Sequence, residues 1–99
     1  MTVSVVTYRK GGTHEAVMAA ARKLRTFVEK HGAERLVLNA VTAGPDAGQW
    51  ALVLTFADWG AFGKSMQSAS GDPAFAQVLS EMDAAAEMVS RRILVSVDL

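Results

Sequence analysis

The sequence predicts an α+β domain of element order β-α-β-β-α-β, with a four-stranded antiparallel sheet and a second helical region that is broken in the middle. Three observations carry this expectation. A β-branched run opens the chain, a long amphipathic stretch follows it, and two apolar runs then flank a Gly/Pro/Asp turn. The change of hydrophobic period from 2 to 3.6 and back is the signature of strands interleaved with helices.

Val3-Ser4-Val5-Val6-Thr7-Tyr8 is the first strand, closed by Gly11-Gly12. Thr13 is placed to cap a helix reaching about Lys30, because its hydroxyl can accept from a free N–H of the first turn. Val17, Ala20, Ala21, Leu24, Phe27 and Val28 fall on one face of that helix, and Gly32 stands where a left-handed stop belongs. Leu36 to Thr42 and Trp50 to Phe56 read as two strands of a hairpin around Gly44-Pro45-Asp46-Ala47-Gly48. Asp58 caps a helix bearing Trp59, Phe62 and Met66, and Ser70-Gly71 interrupts it. Asp72-Pro73 restarts it as cap and first helical residue, with Phe75, Val78, Leu79, Met82 and Ala86 as its buried stripe. Ile93 to Val97 closes the chain as a strand. No repeat or linker divides residues 1–99, so one domain is expected.

Composition narrows the function classes. Ten basic residues balance ten acidic ones. The first fifty residues hold seven Lys/Arg against four Asp/Glu, and the rest hold three against six, with no basic stripe. Nucleic-acid binding is therefore not expected. There is no cysteine, hence no disulfide or thiolate chemistry. The two histidines, His14 and His31, have no metal-ligand spacing, so neither a metal nor a cofactor is expected. No apolar run approaches a membrane span, and residues 1–10 lack signal-peptide order, so a cytoplasmic protein is expected.

The strands are apolar on both faces. One face carries Val3, Val5, Leu36, Leu38, Ala40, Leu52, Leu54, Phe56, Ile93, Val95 and Val97, and is assigned to the core beneath the helices. The other carries Val6, Val37, Val41, Ala51, Val53 and Leu94, with Ser4, Tyr8, Asn39, Thr55 and Ser96 among them. A sheet helix-covered on one side ought to be polar on the other. The excess predicts a homodimer joined through this second face, since so large an exposed apolar patch favours association.

The run Val53-Leu54-Thr55-Phe56-Ala57-Asp58-Trp59-Gly60-Ala61-Phe62, followed by Asp72-Pro73-Ala74-Phe75, resembles the strand-to-helix junction of the antibiotic-biosynthesis monooxygenase and NIPSNAP-like branches of the dimeric α+β barrel superfamily. The resemblance covers nearly the whole chain through its element order. It implies two ferredoxin-like protomers packed sheet against sheet. Its branches include cofactor-free monooxygenases, haem-degrading enzymes, chlorite dismutase relatives and isomerases. Haem degradation is disfavoured, because the first strand offers Thr7 or Tyr8 rather than Asn, and no His follows Trp59.

Tyr8, Asn39, Thr55 and Ser96 are the candidates to orient a ligand on the second face, with Trp59 as an aromatic wall and His14 as a base at a pocket mouth. For each the ordinary reading is a satisfied strand residue, a core aromatic or a solvated histidine. No nucleophile elbow or phosphate loop is present, and Gly11-Gly12 reads as a turn. The expected function is binding of a small hydrophobic or aromatic molecule without dedicated catalysis. The alternative is a cofactor-free monooxygenase acting on a quinone or polycyclic aromatic.

Overall fold

A computed structural model describes all residues from Met1 to Leu99. The elements are β1 (Val3–Lys10), α1 (His14–Lys30), β2 (Arg35–Ala40), β3 (Trp50–Phe56), α2 (Trp59–Ser70), α3 (Ala74–Ala85) and β4 (Glu87–Val95). The strands form one sheet of order β2-β3-β1-β4, with every neighbouring pair antiparallel. All helices lie over one face, and the molecule is a slab of 39 × 34 × 17 Å.

The helix caps are those the sequence specifies. Thr13 Oγ1 accepts from the Ala16 N–H at 3.2 Å, and Asp58 Oδ1 accepts from the Ala61 N–H at 2.7 Å. Gly32 takes φ +96°, a conformation that costs a side chain-bearing residue about 1–2 kcal/mol. After Gly71, Asp72 Oδ1 accepts from the Ala74 N–H at 2.9 Å and restarts the chain as α3. The broken helical region is thus two helices with a capped junction.

Strand register sorts the side chains as alternation requires. Val3 pairs with Phe56, Val5 with Leu54 and Leu36 with Leu54, all facing the helices. Phe56, Met82, Val3 and Val17 are the most completely buried side chains. The Phe62 ring meets Phe56 edge-on at 5.1 Å, and Phe75 stacks on Phe27 at 5.6 Å. Truncating Phe56 to alanine would cost about 3–5 kcal/mol, as in other filled cores.

Four expectations need correction. The last strand begins at Glu87, six residues earlier than Ile93, because β4 follows β1 along its whole length from Lys10 opposite Glu87 to Val3 opposite Val95. Its first part, Glu87 to Arg92, mixes Met88 and Val89 with charged and polar residues and shows no clean alternation. Ser96 and Val97 lie beyond the strand, and Val97 is exposed. Ile93 faces the helix side, but β4 is an edge strand with thin helical cover and leaves it 48% exposed. Val41 lies past the end of β2.

Candidate functional site

Four of the six candidates, Tyr8, Asn39, Thr55 and Ser96, are expected on the open face of the sheet. Tyr8, Ala51 and Asn39 occupy one cross-strand row, so Tyr8 and Asn39 sit two strand spacings apart, about 10 Å. Asn39 is exposed and its Nδ2 donates to the Ala51 carbonyl at 3.2 Å. The Arg92 guanidinium lies over the Tyr8 ring at 5.4 Å. Thr55, near the other end of β3, pairs with Ser4 and Arg35. Ser96 lies outside the sheet, where its hydroxyl accepts from the Thr2 N–H at 2.8 Å. These residues form a mixed surface and do not converge on a concavity.

Trp59 opens α2, 47% exposed, with its ring edge-on to Phe62 at 5.9 Å. His14 is elsewhere. Its ring stacks on Trp50 at 5.6 Å and 25°, at the mouth of a cleft between α1 and the β2 side of the sheet. The cleft has a volume of about 580 Å³. Met18 and Ala21 of α1 face Leu36, Leu38 and Ala40 of β2 across it, and Arg22 and Arg25 stand on its α1 rim. Its charged and titratable lining residues are His14, Arg22 and Arg25, with no carboxylate among them. Neither arginine has an acidic partner within ion-pair distance.

The mouth is positioned by the loop before α1. Trp50 Nε1 donates to the Gly11 carbonyl at 3.3 Å. Gly12 has φ +75°, and a Cβ there would stand 1.9 Å from the Ala85 carbonyl oxygen. A glycine is required on both counts, so the loop is pressed against the end of α3.

A second, inner cavity of about 50 Å³ lies between the helices and the centre of the sheet, bounded by Val5, Thr7, Arg9, Leu24, Leu36, Leu52 and Leu54. Leu36 borders both spaces. Arg9 is 3% exposed, and its Nη1 donates to Asp83 Oδ1 at 2.8 Å and to the Ala86 carbonyl at 2.9 Å. Of the six sequence candidates, His14 alone lines either cavity.

Sequence reading missed Trp50 as a cleft wall, and it missed Arg9. The signal for Arg9 was available: it continues the odd-numbered series Val3, Val5, Thr7 that faces the helices. A basic residue in the phase of the core is informative because charges are seldom fully buried without a partner.

A third cluster ties helices together. His31 Nε2 bonds Asp72 Oδ2 at 2.8 Å, and His31 Nδ1 bonds Ser68 Oγ at 2.7 Å. The Ala74 N–H and then His31 hold the Asp72 carboxyl below its ordinary range, with burial opposing them. Gln77 and then Lys23 do the same for Glu81. The Ser68–His31–Asp72 chain lines neither cavity, and it joins the end of α1 to the α2–α3 junction.

No protein-family model matches the chain, and no curated protein is similar to it in sequence. Solved structures are similar over nearly their full length. A mutant of SnoaB, a cofactor-independent oxygenase from Streptomyces nogalater, superposes with a TM-score of 0.74 at 14% identity, covering 99% of this chain and 95% of that one. The chain has the ferredoxin-like α+β fold. A NIPSNAP domain protein from Burkholderia xenovorans gives 0.73 at 15% identity, covering 98% and 95%. A candidate antibiotic biosynthesis monooxygenase from Caulobacter crescentus gives 0.69 at 15%, covering 98% and 91%. At these identities the likeness establishes the ferredoxin-like fold and leaves activity to the site itself. No helix is long and apolar enough to cross a membrane.

Proposed function

We propose that this protein binds a planar, largely apolar small molecule carrying an anionic or hydrogen-bond-accepting group, in the cleft between α1 and β2, and that it does so as a homodimer. The observation behind the ligand is the cleft lining: seven apolar residues and His14, Arg22 and Arg25, without a carboxylate. Apolar walls with a few convergent donors are the usual composition of a small-molecule site. The His14–Trp50 stack offers an aromatic edge at the mouth.

Support for the dimer comes from the open face. Val37 and Leu94 are 38% and 54% exposed there, with half-buried Val53 between them and Val6, 7% exposed, at the centre. At about 25 cal/mol per Å² of apolar area removed from water, face-to-face packing of two such sheets would stabilise the pair. The Tyr8, Asn39 and Thr55 side chains would then lie in the interface.

The test is a titration of the Trp59→Phe variant with 2-naphthoate, in which Trp50 is the sole tryptophan and reports from the cleft. Saturable quenching that is lost in Arg22→Gln/Arg25→Gln supports the reading. Absence of saturable quenching sinks it.

One observation favours a catalytic version. SnoaB, of the same fold, is a cofactor-independent oxygenase. In such a reaction an electron-rich aromatic and dioxygen give a ring carbonyl and water, and His14 at the mouth is the available proton acceptor. Oxygen uptake with an anthrone as substrate, abolished in His14→Ala, would favour this version. Binding of the anthrone without uptake would favour the plain binding protein.

A further inference from the structure

We infer that the inner cavity is an oxygen-recognition subsite, in which Arg9 and Thr7 donate to a carbonyl or phenolate oxygen on the leading edge of a fused-ring ligand whose remainder lies in the outer cleft. This inference rests on the proposed binding function and specifies which end of the ligand goes in.

The donors are unspent. Both hydrogen bonds from Arg9 to protein leave from Nη1, so Nε and Nη2 have no protein acceptor although the residue is 3% exposed. Thr7 is also buried, and its Oγ1 accepts from Arg91 Nε at 3.2 Å. An hydroxyl that accepts in this way keeps its own hydrogen free to donate. The rest of the cavity lining is aliphatic and offers no side-chain acceptor. Nε and Nη2 keep a little accessible surface, and donors lining a small, otherwise apolar space suit an acceptor atom there. A volume of about 50 Å³ is ample for one oxygen substituent, or for the water it would displace.

Sheet register supplies the path. Leu38, Leu52 and Thr7 occupy one cross-strand row on the helix-facing side, and Ala40, Trp50 and Arg9 occupy the next. Leu38 belongs to the outer cleft and Leu52 to the inner cavity. Two strand spacings separate Leu38 from Thr7, about 10 Å, the length of two or three fused rings. Leu36, which borders both spaces, stands between them.

The experiment compares 1-tetralone with tetralin, which differ by the ketone oxygen and carry no charge for the rim arginines. Each is titrated by ligand-observed NMR as a competitor of bound 2-naphthoate, in wild type and in the near-isosteric Thr7→Val. Expected is about a tenfold or greater preference for 1-tetralone, the yield of a hydrogen bond to a buried charged donor, reduced at least threefold in Thr7→Val. Arg9→Met, checked for folding by circular dichroism, should lower the preference further. An equal affinity for the two probes, a preference unchanged in Thr7→Val, or failure of both probes to displace naphthoate would each overturn the subsite while leaving the cleft intact. Absence of naphthoate binding overturns the subsite and the proposed function together.

Discussion

Replacing Arg9 by methionine isolates the structural share of a buried guanidinium from any share in ligand binding. The side chain gives up two hydrogen bonds, to Asp83 Oδ1 and to the Ala86 carbonyl. They are not equivalent. The Asp83 side chain is 64% exposed and regains water when Arg9 is lost, so that half of the interaction is worth about 0–1 kcal/mol. Ala86 is 3% exposed, and leaving its carbonyl without this donor costs about 1–3 kcal/mol. Against this, methionine has no charge to desolvate, which returns part of the loss. The balance is a destabilisation of about 1–2 kcal/mol, or a fall in Tm of roughly 4–16 °C for a chain of this size. Asp83→Asn, by the same reasoning, should cost under about 1 kcal/mol. Urea denaturation of both variants at one fixed protein concentration, with the m-value checked for constancy, measures the difference. Equal losses in the two variants, or a neutral Arg9→Met, would refute the assignment of the energy to the Ala86 carbonyl.

Gly12→Ala should destabilise the fold by about 2 kcal/mol or more, since φ +75° and a backbone oxygen 1.9 Å from the new Cβ act together; thermal unfolding reads this directly. Gly11→Ala, at φ +78° with nothing within 4 Å, should cost less and is the control. Val53→Asp on the open face should shift sedimentation velocity from dimer to monomer while leaving the circular dichroism of the protomer unchanged. Asp72 has a folded-state pKa below its ordinary 3.8, so the stability it contributes is complete above that value and is lost as pH falls through the lower folded-state pKa. Asp72→Asn should therefore lower stability at neutral pH and flatten its dependence on pH in the acid range, seen in urea midpoints measured from pH 6 down to 2.

Element order and the two-faced strands were legible in the sequence because alternation and helical spacing are local properties. Val3, Val5, Leu36, Leu52, Leu54 and Phe56 face the helices as their phase requires. Asp58 and Asp72 were legible as helix starts because capping is decided within three residues. The first half of β4 was not, since Glu87 to Arg92 is held by its pairing with β1 and not by its own hydrophobicity. The cleft was hidden for a different reason. Which of two sides holds a cavity depends on how far α1 stands from β2, and that is a property of the packed layers that Ala21, Met18, Leu36 and Leu38, now lining the gap, do not announce in sequence. Strand polarity pointed to Tyr8 and Asn39, whereas the concavity lies where small and flexible side chains face each other under a helix.

The end of α3 is touched from two directions, by the Arg9 guanidinium at the Ala86 carbonyl and by Gly12 at the Ala85 carbonyl. It therefore acts as a fulcrum between the interior and the mouth. An oxygen bound inside at Nε or Nη2 leaves the Nη1 bond to Ala86 in place, so the abutment for the Gly11–Thr13 loop, which carries the acceptor for Trp50 and leads into His14, is kept. The interior and the entrance share one support in this arrangement. Weakening that support from inside, as Arg9→Met does, should accordingly disturb the His14–Trp50 stack at the mouth as well as the core.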